Sequence, residues 1–399
     1  MKIIIIGGGA AGFFAAIHNK KKYPKSQVML IEKSDELLAK VKISGGGRCN
    51  LTHACFDPKT LCQHYPRGHK ELLGPFHSFQ PSDTMAWFKS HGVALKTERD
   101  NRVFPLSDNS ETIVDCLIKT ATQLGVTILT QTKVLEIVKE TEMFALQIEN
   151  EGLKRCHKLI LATGSGRKGH EFAASLGHTI VPPIPSLFTF KIDDTALHAL
   201  SGLSVAMTHV WLSGQKKNPQ FGPLLITHWG MSGPSIIKTS AWQAEALHAS
   251  HYQMPLFINW LPQIDRQMLR ERLLSMQAAH PKKGIATDSP FSEIPQRLWA
   301  YLVHKALGKH DTWQTLAPKH HERLAQELEQ SQYHITGKGA FKEEFVTCGG
   351  VSLKEINFKT MESKICPGLH IVGELLNIDG VTGGFNFQNA WTTGFLSAE

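Results

Sequence analysis

Three glycines near the start of the chain, Gly7, Gly9 and Gly12, fall in a G-x-G-x-x-G spacing, which lets a backbone hold a pyrophosphate. Gly7 permits a tight turn, Gly9 lets the main chain approach phosphate oxygens, and Gly12 lets a helix lie close on the strand before it. The amino end of that helix, at Ala10 and Ala11, offers unpaired N–H groups and the positive end of the peptide dipole. Glu32 lies about twenty residues beyond Gly12, where a carboxylate accepts the two hydroxyls of an adenosine ribose. The chemistry these residues describe is the binding of an adenine dinucleotide.

Three further stretches have chemical potential. Ser44-Gly45-Gly46-Gly47-Arg48-Cys49-Asn50 is too rich in glycine for a helix or strand interior. Its backbone can pass against a flat ligand or a phosphate, and flexibility alone does not require Arg, Cys and Asn within it. Asp379-Gly380-Val381-Thr382-Gly383-Gly384-Phe385-Asn386-Phe387-Gln388 leads into a terminal helix over 389–396, and two glycines at a helix amino end again tolerate an anion. Gly164-Ser165-Gly166-Arg167-Lys168-Gly169 repeats the G-x-G-x-x-G spacing after a strand. A second nucleotide site there needs an acid or arginine ending another strand about twenty residues on. The chain runs instead through Pro182, Pro183 and Pro185, so the repeat reads as a false echo.

The elements that must position these residues read as α/β at both ends. Ile3, Ile4, Ile5 and Ile6 are too few for a helix and suit a parallel strand buried on both faces. A helix over 10–17 and a second strand over 27–31, ending at Glu32, follow. Residues 111–124 form an amphipathic helix ended by Gly125. Runs at 126–129, 133–138, 144–148 and 158–162 read as strands, the last closing on Thr163 and Gly164. Residues 187–260 are β-rich, with alternation over 204–212 and a polar turn at Thr227-His228-Trp229-Gly230. Helical patterns at 264–276, 294–307 and 313–329 follow, and a strand over 369–372 closes on Gly373 and Glu374. The expected organisation is a dinucleotide domain over 1–188 and 346–399. A β-rich insertion over 189–263, a helical insertion over 264–331 and return strands over 332–345 interrupt it.

A length of 399 residues allows two or three domains with a substantial core. No apolar run approaches the ~20 residues of a membrane span. One lysine, four isoleucines and then glycines do not make a signal peptide. No membrane association and a cytoplasmic location are expected. The seven cysteines include no C-x-x-C pair and the 21 histidines no H-E-x-x-H, so neither a metal site nor a dithiol relay is signalled. The net charge of +8, from 43 basic and 35 acidic residues, favours a polyanionic partner modestly. The basic runs, such as Lys20 to Lys22 and Arg67 to Lys70, are short and equally suit a solvated surface.

Taken together, the N-terminal GGGAAG with Glu32, KISGGGRCNLT, NRVFP at 101–105, LATG at 161–164, THWGMSGP at 227–234, TCGGV at 347–351 and GELLNIDGVTGGFNFQNAWTTG at 373–394 resemble the aminoacetone-oxidase/BaiN-like (YhiN-like) flavoproteins. These belong to the glutathione-reductase-type FAD-binding superfamily, and the resemblance runs end to end in the family's order. It implies an α/β protein whose Rossmann FAD-binding domain is split by an inserted β-barrel-like domain and a small helical bundle. It also implies that Gly7, Gly9, Ala10, Ala11 and Gly12 hold the FAD pyrophosphate, and that Glu32 and Lys33 lie at the adenosine ribose. Ser44, Gly45, Gly46, Gly47, Arg48, Cys49 and Asn50 would line the pyrophosphate and the isoalloxazine edge, with Thr163 and Gly164 on the adenine side. Gly373 and Glu374 would meet the ribityl chain, and Gly383, Gly384, Asn386 and Gln388 the pyrimidine end. Arg48, Asn50, Arg102 and His228 are the catalytic candidates. The family's longer loop after LATG shrinks here to SGRKGHEF.

The implied activity is that of an FAD-dependent oxidoreductase, with NAD(P)H as transient hydride donor. The acceptor is either a uridine of ribosomal RNA or a small molecule, such as an amino-ketone or an unsaturated ring. The positive charge and the helical insertion favour RNA. A non-catalytic FAD-binding assembly factor is the competing reading.

Overall fold

The computed structural model describes residues 1–308, 311–339 and 346–399. The chain divides into two compact units, residues 1–184 with 346–399, and residues 185–345.

The first unit is built on a seven-stranded sheet ordered Ile356–Asn357, Glu362–Ser363, Leu369–Ile371, Lys158–Leu161, Lys2–Ile6, Gln27–Ile31 and Thr127–Leu129. From Leu369–Ile371 to Thr127–Leu129 the pairing is parallel, with Ile5 opposite Leu30 on one side and Ile160 on the other. A strand paired on both edges and covered on both faces must be apolar throughout, and Ile3 to Ile6 are buried accordingly. Helix Ala10–Lys22 buries Phe13, Phe14, Ala15, Ala16 and Ile17. It packs against the terminal helix Phe385–Leu396, where a Cβ at Gly394 would stand 2.8 Å from the Ala11 carbonyl oxygen. Only glycine admits so close a backbone. Asn19 Nδ2 also donates to Ser397 Oγ (3.2 Å), so the two ends of the sequence share one core.

Around the main sheet lie a three-stranded sheet (Thr52–His53, Arg102–Pro105, Leu95–Thr97) and a meander (Val134–Lys139, Phe144–Ile148, Gly152–Cys156). Residues Arg102–Pro105 form the central strand of the three-stranded sheet. The false echo is locally real: strand Lys158–Leu161 is followed by helix Arg167–Ser175, capped at Gly166. The next strand, Ile180–Ser186, pairs with Val346–Val351 in a separate two-stranded sheet rather than extending the parallel one.

The second unit holds an antiparallel ladder ordered Ser331–Ile335, Met254–Asn259, Ser204–Leu212, Gln220–Thr227, Gly230–Ser232, Phe190–Lys191 and Gly337–Lys338. Its two outermost strands belong to one segment, which pairs with Met254–Asn259 through its first part and with Phe190–Lys191 through its second. Helices Arg266–Ala279, Gln296–Leu307 and Pro318–Gln330 share one core with the sheet, joining Leu269, Trp299 and Leu324 to Leu224, Leu256 and Ile258. Of the return stretch expected over 332–345, residues 340–345 lie outside the described residues. No described helix is long and apolar enough to cross a membrane.

Candidate functional site

The glycines of the first turn separate into two kinds. At Gly7, with φ +112°, a Cβ would stand 2.3 Å from the Ala162 carbonyl oxygen, and at Gly12 it would stand 1.9 Å from that of Gly7. Both places are closed by backbone. A Cβ at Gly9 would meet nothing within 4 Å. Gly9 caps helix Ala10–Lys22, whose first internal bond runs from Phe13 N–H to the Gly9 carbonyl (3.0 Å). The N–H groups of Ala10, Ala11 and Gly12 therefore stand outside the helical ladder, and no acidic residue lies in that first turn. Open space before a positive helix end is the cradle a pyrophosphate requires.

Glu32 sits beside this cradle at the end of its strand. Its Oε2 accepts from Gly8 N–H (2.8 Å), and its Oε1 accepts from Ser34 N–H (3.0 Å) and Oγ (2.9 Å). These bonds fix the carboxylate's direction and leave lone pairs for ribose hydroxyls. Lys33 is exposed. Just past strand Lys158–Leu161 the Thr163 hydroxyl is buried with no partner among the described residues, and a Cβ at Gly164 would stand 3.7 Å from Glu374 Oε2. Glu374 accepts from Thr347 N–H (3.1 Å) and pairs with Lys40 Nζ (2.5 Å). Gly373 N–H donates to Thr393 Oγ1 (2.9 Å). These residues fit a dinucleotide.

The second glycine stretch ends helix Ala39–Gly47, which Ser44 breaks with ψ 149°. Gly45, Gly46 and Gly47 then take φ of 58°, 70° and 82°, and Gly46 and Gly47 face open space. Cys49 is wholly buried, and burial pushes its thiol up to about 12. It stays protonated and packs. Arg48 donates to Glu98 (2.7 Å) and faces Asp108 (3.5 Å), with its guanidinium 4.1 Å from the Phe104 ring centre. Arg102 bonds the same Glu98 (3.1 Å) and Asp100 (2.7 Å). Both arginines thus belong to one partly exposed ionic cluster on the three-stranded sheet. Asn50 donates to the Thr52 carbonyl (3.1 Å) and accepts from Gly384 N–H (3.0 Å) in the orientation that satisfies both.

That bond ties the loop to the amino end of the terminal helix. Gly384 takes φ +96°, and a Cβ there would stand 2.6 Å from the Thr52 carbonyl. The first bond within the helix runs from Gln388 N–H to the Gly384 carbonyl (3.0 Å). The N–H groups of Phe385, Asn386 and Phe387 are left outside the ladder, a second positive helix end in the same unit. Asn386 pins the loop before it by bonding both N–H (2.8 Å) and carbonyl (2.9 Å) of Gly380.

The full-length comparison decides the family. A model described as the HI0933-like protein Rossmann domain matches residues 1–399. The chain belongs to the HI0933-like family. This family is one of FAD-dependent oxidoreductases. The chain is 27% identical over 381 residues to the ribosomal RNA dihydrouridine synthase of Escherichia coli, covering 94% of this chain and 91% of that one. It is also 27% identical over 408 residues to the 3-dehydro-bile acid delta(4,6)-reductase of Clostridium scindens, covering 99% and 98%. Among solved structures, the 3-ketosteroid-delta4-(5alpha)-dehydrogenase of Rhodococcus jostii shares the fold, with a TM-score of 0.51 at 14% identity, covering 100% of this chain and 96% of that one.

In this HI0933-like chain all the expected cofactor residues, with Arg48, Asn50 and Arg102, lie in the first unit. His228 is exposed in the second, between strands Gln220–Thr227 and Gly230–Ser232, its ring edge-on to Trp229 (4.2 Å). Gln388 is fully buried: its Oε1 accepts from Thr52 (2.6 Å) and Thr84 (2.9 Å), and its Nε2 donates to Thr392 (3.0 Å). Its side chain is a tie inside the protein. Sequence reasoning missed the groups beside Gly383 and Gly384. His53 and His64 stack on Phe385 at 4.7 and 4.2 Å, and Tyr65 O–H donates to the Phe385 carbonyl (2.6 Å). Arg67 pairs with Asp379, which is fully buried, through Nε to Oδ1 (2.5 Å) and through Nη2 to Oδ2. Among the described residues no group of three or more His, Cys, Asp or Glu is placed to hold a metal.

Proposed function

We propose that this HI0933-like protein binds FAD across its first unit and uses it to pass hydride from NAD(P)H to a uridine of ribosomal RNA. The observation that carries the flavin reading is the pair of helix amino ends in one unit, at Gly9 and Gly384, the first open and with no acid in its first turn. Bound FAD would supply a ring able to accept and release hydride. The chain's own residues bind and tune it. Ala10, Ala11 and Gly12 offer N–H groups to the pyrophosphate, and Glu32 takes the ribose. The N–H groups of Phe385, Asn386 and Phe387 stabilise negative charge on a bound ring. Arg48 and Arg102, held by Glu98, serve the loop's shape in this reading rather than proton transfer.

Two features support RNA as acceptor: the dihydrouridine synthase name of the Escherichia coli relative and the net charge of +8. A base must leave its stack to meet a flavin, and a basic protein is suited to holding it. The second reading is a small unsaturated ring, favoured by equal identity to the bile acid reductase. Both names describe reduction of a ring double bond, so the chemistry is common and the substrate differs. The same reading treats 264–331 as a helical insertion in a barrel-like domain over 189–263 and 332–345. Its support is the segment that pairs with both Met254–Asn259 and Phe190–Lys191. A cytoplasmic location accompanies an RNA substrate.

The test is mass spectrometry of ribosomal RNA from a deletion strain, with anaerobic NADH and NADPH titration of the purified protein. Loss of one dihydrouridine together with bleaching of the flavin band supports the proposal. Unchanged dihydrouridine with bleaching moves the acceptor to a small molecule. A flavin that no donor bleaches points to the assembly factor.

A further inference from the structure

From Thr195 to Ala244 the chain contains no Asp or Glu, although it holds 35 among 399 residues overall. The stretch includes the hairpin of strands Ser204–Leu212 and Gln220–Thr227. Val205, Val210, Leu224 and Ile226 lie in the core, so strand alternation turns His209, Phe221 and Leu225 to the other face. Phe221 is 49% exposed, Met207 38% and Leu225 37%. Single exposed apolar residues need no explanation, but three fall on this one hairpin. His209 and Phe221 are direct cross-strand partners with rings edge-on at 4.0 Å. Trp211, two residues on from His209 and so on the same face, stacks on Phe257 of the next strand at 5.9 Å and 15°. Aromatic rings therefore cross three neighbouring strands, with Phe221 the most open of them, His209 and Phe257 half-buried and Trp211 buried.

The charged side chains of this acid-free stretch have one sign, and Lys216 Nζ donates to Gln330 Oε1 (3.4 Å). Lys216 and Lys217 lie exposed in the hairpin turn, and Lys238 Nζ reaches the Phe221 carbonyl (3.4 Å). None of the three pairs with a carboxylate among the described residues. An apolar patch meant for another protein has no need of an acid-free surround, whereas a strand of nucleotides offers bases to the rings and phosphates to the lysines.

We propose that this face is a stacking platform for single-stranded RNA, with Phe221 and His209 receiving bases and Lys216 and Lys217 contacting the backbone. The proposal rests on the RNA reading above and deepens it, by giving the substrate a surface outside the flavin residues.

The test uses the full-length, FAD-loaded protein and a fluorescein-labelled oligouridylate, with anisotropy measured over a salt series. F221A is expected to weaken binding about tenfold. K216A/K217A is expected to lower the salt dependence by about 1.4 in the slope of log affinity against log salt. Urea midpoints and donor-driven flavin bleaching should stay as in the wild type, and the double variant covers the case in which F221A folds poorly. Wild-type binding that neither variant changes overturns the platform and leaves RNA as substrate. A wild type that does not bind oligouridylate also overturns it, and dihydrouridine content in the deletion strain then reads the fate of the substrate proposal separately. If F221A instead abolishes self-association seen by light scattering, with RNA affinity unchanged, the face is a protein interface and the proposal falls.

Discussion

A methyl group added at Gly9 meets no protein atom within 4 Å, whereas one added at Gly12 lands 1.9 Å from the Gly7 carbonyl oxygen. Gly9→Ala and Gly12→Ala therefore separate cofactor binding from folding. Gly9 has φ −90° and ψ −172°, extended backbone that alanine adopts freely, so the apoprotein should lose no more than ~1 kcal/mol from a poorer helix cap. The methyl would stand where a pyrophosphate meets the N–H groups of Ala10, Ala11 and Gly12. Holding phosphate off by about one ångström forfeits roughly two charge-assisted hydrogen bonds at about 1.5 kcal/mol each, a total near 3 kcal/mol or about 100-fold in FAD affinity. Gly12→Ala must push the helix off its strand, an overpacking worth about 1–3 kcal/mol of stability before any ligand is added. Urea unfolding of the apoproteins reads the first effect, and quenching of FAD fluorescence on titration reads the second. The reasoning is refuted if Gly9→Ala binds FAD within about twofold of the wild type, since that would place the phosphates elsewhere.

Three other perturbations follow from buried groups. Asp379→Asn leaves Arg67 charged and largely enclosed opposite a neutral amide, and should cost about 3–5 kcal/mol in urea unfolding; an unchanged midpoint would show that the pair is not a structural lock. Gln388→Leu removes the acceptor shared by the Thr52 and Thr84 hydroxyls and should cost about 2–4 kcal/mol, with the loss visible in the apoprotein. An effect confined to the FAD-bound form would return Gln388 to the cofactor. Burial, reinforced by the Lys158 charge, holds His370 down to about 3, the Thr360 carbonyl opposing. Because the unfolded chain binds a proton there below about pH 6.5 and the folded chain does not until about pH 3, stability is intact above pH 6.5 and falls as pH drops through that window, by about 2 kcal/mol at pH 5. His370→Asn keeps a donor for the Thr360 carbonyl, so urea midpoints measured from pH 7.5 to 5 should fall less steeply; an identical slope would sink the assignment.

The parallel strands, the helix at 111–123 and the helices of 266–330 were legible because each announces itself within a few turns of chain, through apolar period and flanking glycine. What was hidden depends on partners distant in sequence. Arg67 read as one member of a short basic run on a solvated face, yet its partner is Asp379, 312 residues away, and nothing local marks that pairing. Arg48 and Arg102 are candidates through the family motifs that carry them. Of the acids that bond them, Glu98 and Asp100 stand within four residues of Arg102, whereas Glu98 and Asp108 lie 50 and 60 residues from Arg48.

Motif glycines are alike in sequence and unlike in space, and the difference bears on where the proposed ligand would lie. Gly12 and Gly384 exist because backbone lies against them: a Cβ would strike the Gly7 oxygen at one and the Thr52 carbonyl at the other. Such glycines are needed whether or not anything binds. Gly9, Gly46 and Gly47 have nothing within 4 Å of the missing Cβ, so no packing within the protein demands them. Gly46 and Gly47 still have a conformational reason, since their φ is positive, and Gly9 does not. Of all these glycines, then, Gly9 alone has neither a neighbour nor a backbone angle to account for it. Beyond its place as helix cap, a close approach from outside the chain would account for it, so the first helix end, rather than the glycine count, is where the proposed cofactor is best tested.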